Sequence, residues 1–176
     1  MDVDFLLIRN MKKGDEEAFE MFVRKYYDEI VKYCGFHCSD PRYTEDLAQE
    51  TFVHFFRNLS EYRHIGKAKN FLYTIAGNLC RDYFKKAKEM PLEDLKLADL
   101  EGADEFTQEI VTKLAVEDAL KRLPDELRDV VVLYYFQDLK LSEIADILKI
   151  GLPLVKYRMK QAKIQLKKYL EQEGEL

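Results

Sequence analysis

Apolar side chains recur at the helical period through nearly the whole chain, and the pattern breaks only between Glu89 and Glu105, where Pro91, Gly102 and a run of acids interrupt it. No segment of alternating polarity is bounded by hairpin turn signals, so the fold class read from the sequence is all-α. Asp40 before Pro41 supplies an N-cap acid followed by a proline at the first helical position, and Pro124 with Asp125 and Glu126 opens a later helix in the same way. Helices are predicted over 2–13, 15–37, 41–59, 67–88, 106–122, 124–137, 140–148 and 152–171. At 176 residues and 47% hydrophobic content, the chain can bury one sizeable core or two small ones. The break favours the second: two small helical domains, 1–88 and 106–176, joined by a flexible acidic linker at 89–105.

Charge is segregated along the chain, so the net value of −5 describes no part of it. From Arg63 to Lys88 seven Lys or Arg face one acid, Asp82; from Lys156 to Lys168 there are six and no acid. Glu89 to Glu109 carries eight acids and one base, Lys96. Two basic segments flanking an acidic tether suit a polyanionic partner better than the overall balance suggests. The tether reads either as a solvated linker or as a segment whose Leu92, Leu95, Leu97 and Leu100 dock, competing with DNA for the basic faces or threading into a partner.

No stretch approaches the roughly 20 uninterrupted apolar residues of a membrane span, and the acidic start Met1-Asp2-Val3-Asp4 lacks a signal peptide's basic region, so a cytoplasmic protein without membrane insertion is expected. Cys34, Cys38 and Cys80 are odd in number and sit in apolar surroundings, as reduced buried thiols do. Cys34, His37 and Cys38 have the spacing of zinc ligands, but no fourth ligand is evident nearby, so neither a metal nor a cofactor is expected. Paired carboxylates alone, without a glycine loop, nucleophile elbow or pocket-forming histidine, do not make an enzyme, and no catalytic residues are expected.

In the helix after Pro41, Ala48, Phe52, Phe55, Phe56 and Leu59 form one apolar stripe, which leaves Asp46, Gln49 and Glu50 together on another face. The segment Asp46-Leu47-Ala48-Gln49-Glu50-Thr51-Phe52 resembles the signature of region two of the sigma-70 family, and Gly14-Asp15-Glu16-Glu17-Ala18-Phe19 resembles the opening of its extracytoplasmic-function (ECF) group. The resemblance implies that Asp46, Gln49 and Glu50 dock on the clamp helices of the largest subunit of core RNA polymerase.

Lys69-Asn70-Phe71-Leu72-Tyr73-Thr74-Ile75-Ala76-Gly77-Asn78 resembles the family's tryptophan-leucine-x-x-isoleucine-alanine-x-asparagine stretch, with Phe71 in place of the tryptophan and expected in the core. Cations and rings over 62–88 are what melted single-stranded DNA requires. The resemblance implies a flipped minus-ten base received by the loop Tyr62, Arg63, His64, Ile65, Gly66 and Lys67, with Asn78, Arg81, Lys85 and Lys86 contacting the strand. Gly77 stands where the family often has arginine, which removes one phosphate contact.

From Ala119 onward the chain resembles region four, with Leu139 to Lys163 laid out as a helix-turn-helix whose small Ala145 permits close approach of the second helix. Val155, Met159, Ala162, Leu166 and Tyr169 form the inward stripe of that second helix. Lys156, Tyr157, Arg158, Lys160, Gln161 and Lys163 are expected on minus-thirty-five DNA, with Lys167 also outward. Lys140, Leu154 and Gln161 depart from the family's cap, threonine and arginine, and Gly151-Leu152-Pro153 occupies its serine-x-glycine turn. The implied function is an alternative sigma factor that binds core RNA polymerase, recognises and melts promoter DNA and is held by an anti-sigma factor. The rival is a sigma-like adaptor that binds polymerase or an anti-sigma factor without productive promoter recognition.

Overall fold

A computed structural model of the chain describes residues 2–89 and 108–174. Most of the expected linker lies outside the described residues, and Glu89 within it closes a helix. The described chain runs through α1 (Val3–Lys12), α2 (Glu16–His37), α3 (Pro41–Arg57), α4 (Ala68–Glu89), α5 (Gln108–Arg122), α6 (Asp125–Val131), a π turn (Val132–Phe136), α7 (Leu141–Leu148) and α8 (Leu152–Gly174). Among the described residues there is no strand, so the all-α fold holds.

Each of the first three helices starts on an aspartate. Asp2 accepts from the Asp4 N–H at 3.0 Å, Asp15 from Glu17 N–H at 3.1 Å, and Asp40 from Arg42 N–H at 2.9 Å with Pro41 at the first position. A carboxylate there satisfies orphan backbone donors and meets the positive end of the helix dipole. α6 differs from the expectation. Pro124 is its N-cap residue, extended at ψ 144, with no side-chain cap. The buried Arg128 stitches the junction instead. Its guanidinium donates to the carbonyls of Leu120, Lys121 and Leu123 at 2.7–2.8 Å, closing the end of α5, and reaches Asp125 at 3.2 Å.

The predicted helix over 124–137 is also resolved differently, because its last turn is π. Gln137 N–H donates to the Val132 carbonyl at 3.2 Å, five residues back. An apolar run such as Val132-Leu133-Tyr134-Tyr135-Phe136 fits either turn, so periodicity does not reveal the extra residue.

The core around α2 is aromatic. Phe22 stacks on Phe55 at 4.9 Å and meets Tyr26 and Phe52 edge-on, and Ile30, Tyr33, Leu72 and Tyr73 are fully buried beside them. Asp4, also buried, accepts from the Tyr26 hydroxyl at 2.5 Å and pairs with Lys25 at 2.7 Å, which ties α1 to α2. From the end of α5 onward the core is aliphatic, built from Leu120, Leu123, Val130, Val132, Leu133, Ile144, Ile147 and Val155. α4 packs against α7, and α2 against α5 and the π turn, so the two sets of helices share one continuous buried cluster.

Candidate nucleic-acid interface

On α3, Ala48, Phe52, Phe55 and Leu59 are buried and Phe56 is half-buried, as the stripe predicts. Anchored by that face, Asp46, Gln49 and Glu50 project together into solvent. Glu50 pairs with His54 one turn on at 3.2 Å, and both groups are well exposed, so the pair contributes little stability and leaves the patch acidic.

The loop between α3 and α4 is braced from the N-terminus. Lys12 Nζ donates to the Tyr62 carbonyl at 2.7 Å, and His64 lies 2.6 Å from Asp2 through Nε2 and 3.3 Å from the Tyr62 hydroxyl through Nδ1. The His64 contact leads the causes that lower the Asp2 carboxyl, and burial raises the Tyr62 hydroxyl. Gly66, at φ +103, takes a left-handed conformation that a side chain would strain, and Ile65 beside it is 94% exposed. Arg63, Gly66 and Lys67 are exposed, whereas Tyr62 and His64 are half-buried. Phe71 corrects the sequence expectation. It is 36% exposed and lies over the rings of Tyr62, at 5.0 Å, and Phe55, at 6.0 Å. The inward stripe of α4 is Ala68, Leu72, Ala76 and Cys80, and position 71 falls beside it at the loop, where its ring extends an aromatic ledge.

Along α4, Asn78, Lys85 and Lys86 are exposed and Asn78 Oδ1 accepts from the Arg81 guanidinium at 2.6 Å. Lys67 and Arg81 do not stand free: Lys67 pairs with Glu143 of α7, and Arg81 lies 3.3 Å from Asp129 of α6. Sequence reading missed Asp129. Asp129 is 4% exposed, accepts from the Tyr33 hydroxyl at 3.1 Å and lies 2.8 Å from His37 Nε2. Burial opposes ionisation of Asp129, but His37, Arg81 and Tyr33 outweigh it and hold the carboxyl below its ordinary range. Burial, then the charge of Asp129, pushes the Tyr33 hydroxyl well up, keeping it a donor. His37 thus faces a carboxylate, and among the described residues no group of three His, Cys, Asp or Glu is placed to hold a metal ion. Cys34, Cys38 and Cys80 are free and buried.

The helix-turn-helix is present. Ala145 is buried, and the Glu143 carboxylate accepts from the Lys140 N–H at 2.9 Å, so the helix start is satisfied without a serine or threonine cap. The turn passes through the left-handed region at Lys149, φ 54, and Gly151 accepts from Leu154 and Val155 N–H at the start of α8. Val155, Met159 and Ala162 are buried and Leu166 and Tyr169 half-buried, which leaves Lys156, Tyr157, Lys160, Lys163 and Lys167 exposed. Gln161 is half-buried. Arg158 is turned toward α6, 3.4 Å from Glu126.

The chain thus carries an exposed basic helix on a helix-turn-helix and a second basic segment along the α3–α4 loop and α4, the footprint expected of a nucleic-acid-binding protein. The family models for Sigma-70 region 2 and Sigma-70, region 4 match residues 22–89 and 113–166. The chain is similar to the ECF RNA polymerase sigma factor SigW of Bacillus subtilis (strain 168), 33% identical over 93% of this chain and 94% of the relative. It shares its fold with CnrH in complex with the cytosolic domain of CnrY, at TM-score 0.74 and 20% identity over 94% of this chain and 96% of the other. The sigma factor RpoE of Bartonella quintana, in complex with the anti-sigma factor NepR, matches at TM-score 0.68 and 17% identity over 87% and 96%. The chain belongs to the ECF RNA polymerase sigma factors of the sigma-70 family. Its function is that of the family: it directs RNA polymerase to promoters for transcription initiation. Among the described residues no helix is long and apolar enough to cross a membrane.

Proposed function

We propose a division of labour along the chain. Asp46, Gln49 and Glu50 hold the clamp helices of core polymerase. Tyr62, Arg63, His64, Gly66, Lys67, Asn78, Arg81, Lys85 and Lys86 take the melted minus-ten strand, and Lys156, Tyr157, Arg158, Lys160, Gln161 and Lys163 take duplex minus-thirty-five DNA. The protein works in the cytoplasm under the control of an anti-sigma factor. The observation that carries this reading is the outer face of α8: Lys156, Lys160 and Lys163 are exposed on the second helix of a helix-turn-helix, and among the described residues no acid pairs with them. Cations held free on a rigid helix attract phosphates and release counterions.

Transcription from a genomic fragment library with purified core polymerase tests it, with the protein and with the variant Asp46→Ala, Gln49→Ala, Glu50→Ala. Start sites that depend on the protein and vanish with the variant are expected. Polymerase binding without start sites would support the adaptor reading instead, and no polymerase binding would overturn both.

A further inference from the structure

The α3–α4 loop leaves the protein from a fixed base. The Tyr62 ring packs against Phe55 at 5.1 Å and Phe71 at 5.0 Å, whereas Ile65 is 94% exposed and Gly66 turns the chain at φ +103. The reading above gives Tyr62 and His64 to the strand alike, but the geometry divides their roles. The His64 side chain is only 6% exposed, and both ring nitrogens are engaged inside the protein: Nε2 lies 2.6 Å from Asp2 and Nδ1 lies 3.3 Å from the Tyr62 hydroxyl. A carboxylate only accepts, so Nε2 carries a proton, and in the neutral ring Nδ1 is left to accept from Tyr62. The imidazole then has no donor or acceptor to offer a base. It relays the position of Asp2 to the ring of Tyr62.

A second contact from the same helix reaches the same residue. Lys12 Nζ donates to the Tyr62 carbonyl at 2.7 Å. Asp2 is the N-cap of α1 and Lys12 its last residue, so the helix holds Tyr62 from both of its ends, once through the hydroxyl and once through the backbone. α1 is itself a fixed post: Leu7, Ile8 and Met11 are buried, and the buried Asp4 is held by Tyr26 and Lys25. Asp2 and Lys12 are exposed, so neither side chain belongs to the core they are anchored to.

We propose that Asp2 and Lys12 are positioning residues of the minus-ten site: Asp2 through His64, and Lys12 through the Tyr62 carbonyl, fix the Tyr62–Phe71 ledge in the orientation on which an unstacked base lies. The inference rests on the minus-ten reading of this loop. A ledge that the strand itself had to order would bind more weakly, by the fraction of molecules in which it is already formed. Charge alone predicts the opposite for one of the two residues. Asp2 is an acid beside a strand-binding loop, so on electrostatics its removal tightens binding of a polyanion, whereas loss of a brace weakens it.

The test is binding of fluorescein-labelled short single-stranded oligonucleotides of random sequence by the full chain, over a series of salt concentrations; stacking on aromatic rings tolerates any base. Asp2→Ser keeps an N-cap on α1 but is too short to reach His64, and Lys12→Met keeps the aliphatic stem without the donor. Both are expected to weaken binding by about tenfold at unchanged helicity, and Lys12→Arg to restore it. The salt slope should stay at its wild-type value in Lys12→Met. A slope lower by about 0.7 would show that Lys12 is itself a phosphate contact and would overturn its positioning role. Tighter binding by Asp2→Ser would overturn that of Asp2. Tyr62→Ala separates the inference from the reading beneath it. If that variant binds weakly while Asp2→Ser and Lys12→Met bind as wild type, the brace fails and the loop assignment stands; if Tyr62→Ala itself binds as wild type, the loop assignment fails and the brace with it.

Discussion

α4 and α8 are both basic helices, yet they stand in opposite electrostatic situations. The cations just before and along α4 have acids against them: Lys67 meets Glu143, Lys69 meets Glu29 at 2.7 Å, and Arg81 meets Asp129. On α8, Lys156, Lys160 and Lys163 face solvent, and Lys163 lies 5.9 Å over the ring of Tyr135. Aromatic residues divide in the reverse sense. Phe22, Phe55, Tyr33 and Tyr73 are fully buried in the N-terminal helices, while Tyr134, Tyr135, Phe136 and Tyr157 are exposed in the C-terminal ones. The N-terminal helices thus have an aromatic interior beneath a surface on which Lys67, Lys69 and Arg81 are paired with acids. The C-terminal helices have an aliphatic interior beneath an open, positively charged one. A face with its own counter-charges responds to what removes them, whereas an open face responds directly to DNA and salt.

The largest effect should separate the two kinds of aromatic. Phe22→Ala removes a ring from the centre of the N-terminal core and is expected to cost about 3–5 kcal/mol in denaturant unfolding. Tyr135→Ala, on the surface, is expected to change stability by about 0.5 kcal/mol or less. Equal costs would break the comparison. Next in size, replacing Lys156, Lys160 and Lys163 together by alanine should lower the slope of log affinity against log salt for duplex DNA by roughly 0.9 per cation. A slope that does not move would mean that α8 is not on the duplex.

The smallest effect is a pH dependence. The carboxyl of Asp129 lies below its ordinary value of 3.8 in the folded protein, so its contribution is present above pH 3.8 and is lost as pH falls below that value. The stability difference between wild type and Asp129→Asn should therefore narrow on acidification from pH 7 to below 3.8 in urea titrations, despite His37, Arg81 and Tyr33 facing the same carboxyl. A difference independent of pH would show that the charge of Asp129 is not what holds these groups.

Much of this was legible where the chemistry is local. Asp40-Pro41 announces a helix start because cap and proline act on neighbouring backbone, and the stripe from Ala48 to Leu59 announces a buried face because its period is that of the helix. The exposed patch of Asp46, Gln49 and Glu50 and the outward lysines of α8 follow from the same geometry. What was not legible depends on contacts distant in sequence. Nothing near Asp129 tells that Tyr33, His37 and Arg81 will surround it, and the spacing of Cys34, His37 and Cys38 does not tell that the imidazole meets a carboxylate of a distant helix. The family's tryptophan and the spacing to Ile75 point Phe71 to the core, but the adjoining loop leaves its ring at the surface with Tyr62. The missing side-chain cap at Pro124 could not be told from a helical proline, because both read as proline followed by acids.

The π turn at Val132–Phe136 has the arithmetic of an insertion. It holds one residue more than an α turn, so everything after it emerges rotated by about 100° from where an unbroken α-helix would place it. That rotation sets Gln137 under the Tyr73 hydroxyl and Phe136 against Phe36. Chain length, as well as side-chain chemistry, therefore sets the register in which the two sets of helices meet. Deleting a single residue within the turn would dislocate that register while leaving nearly every side chain in the sequence unchanged.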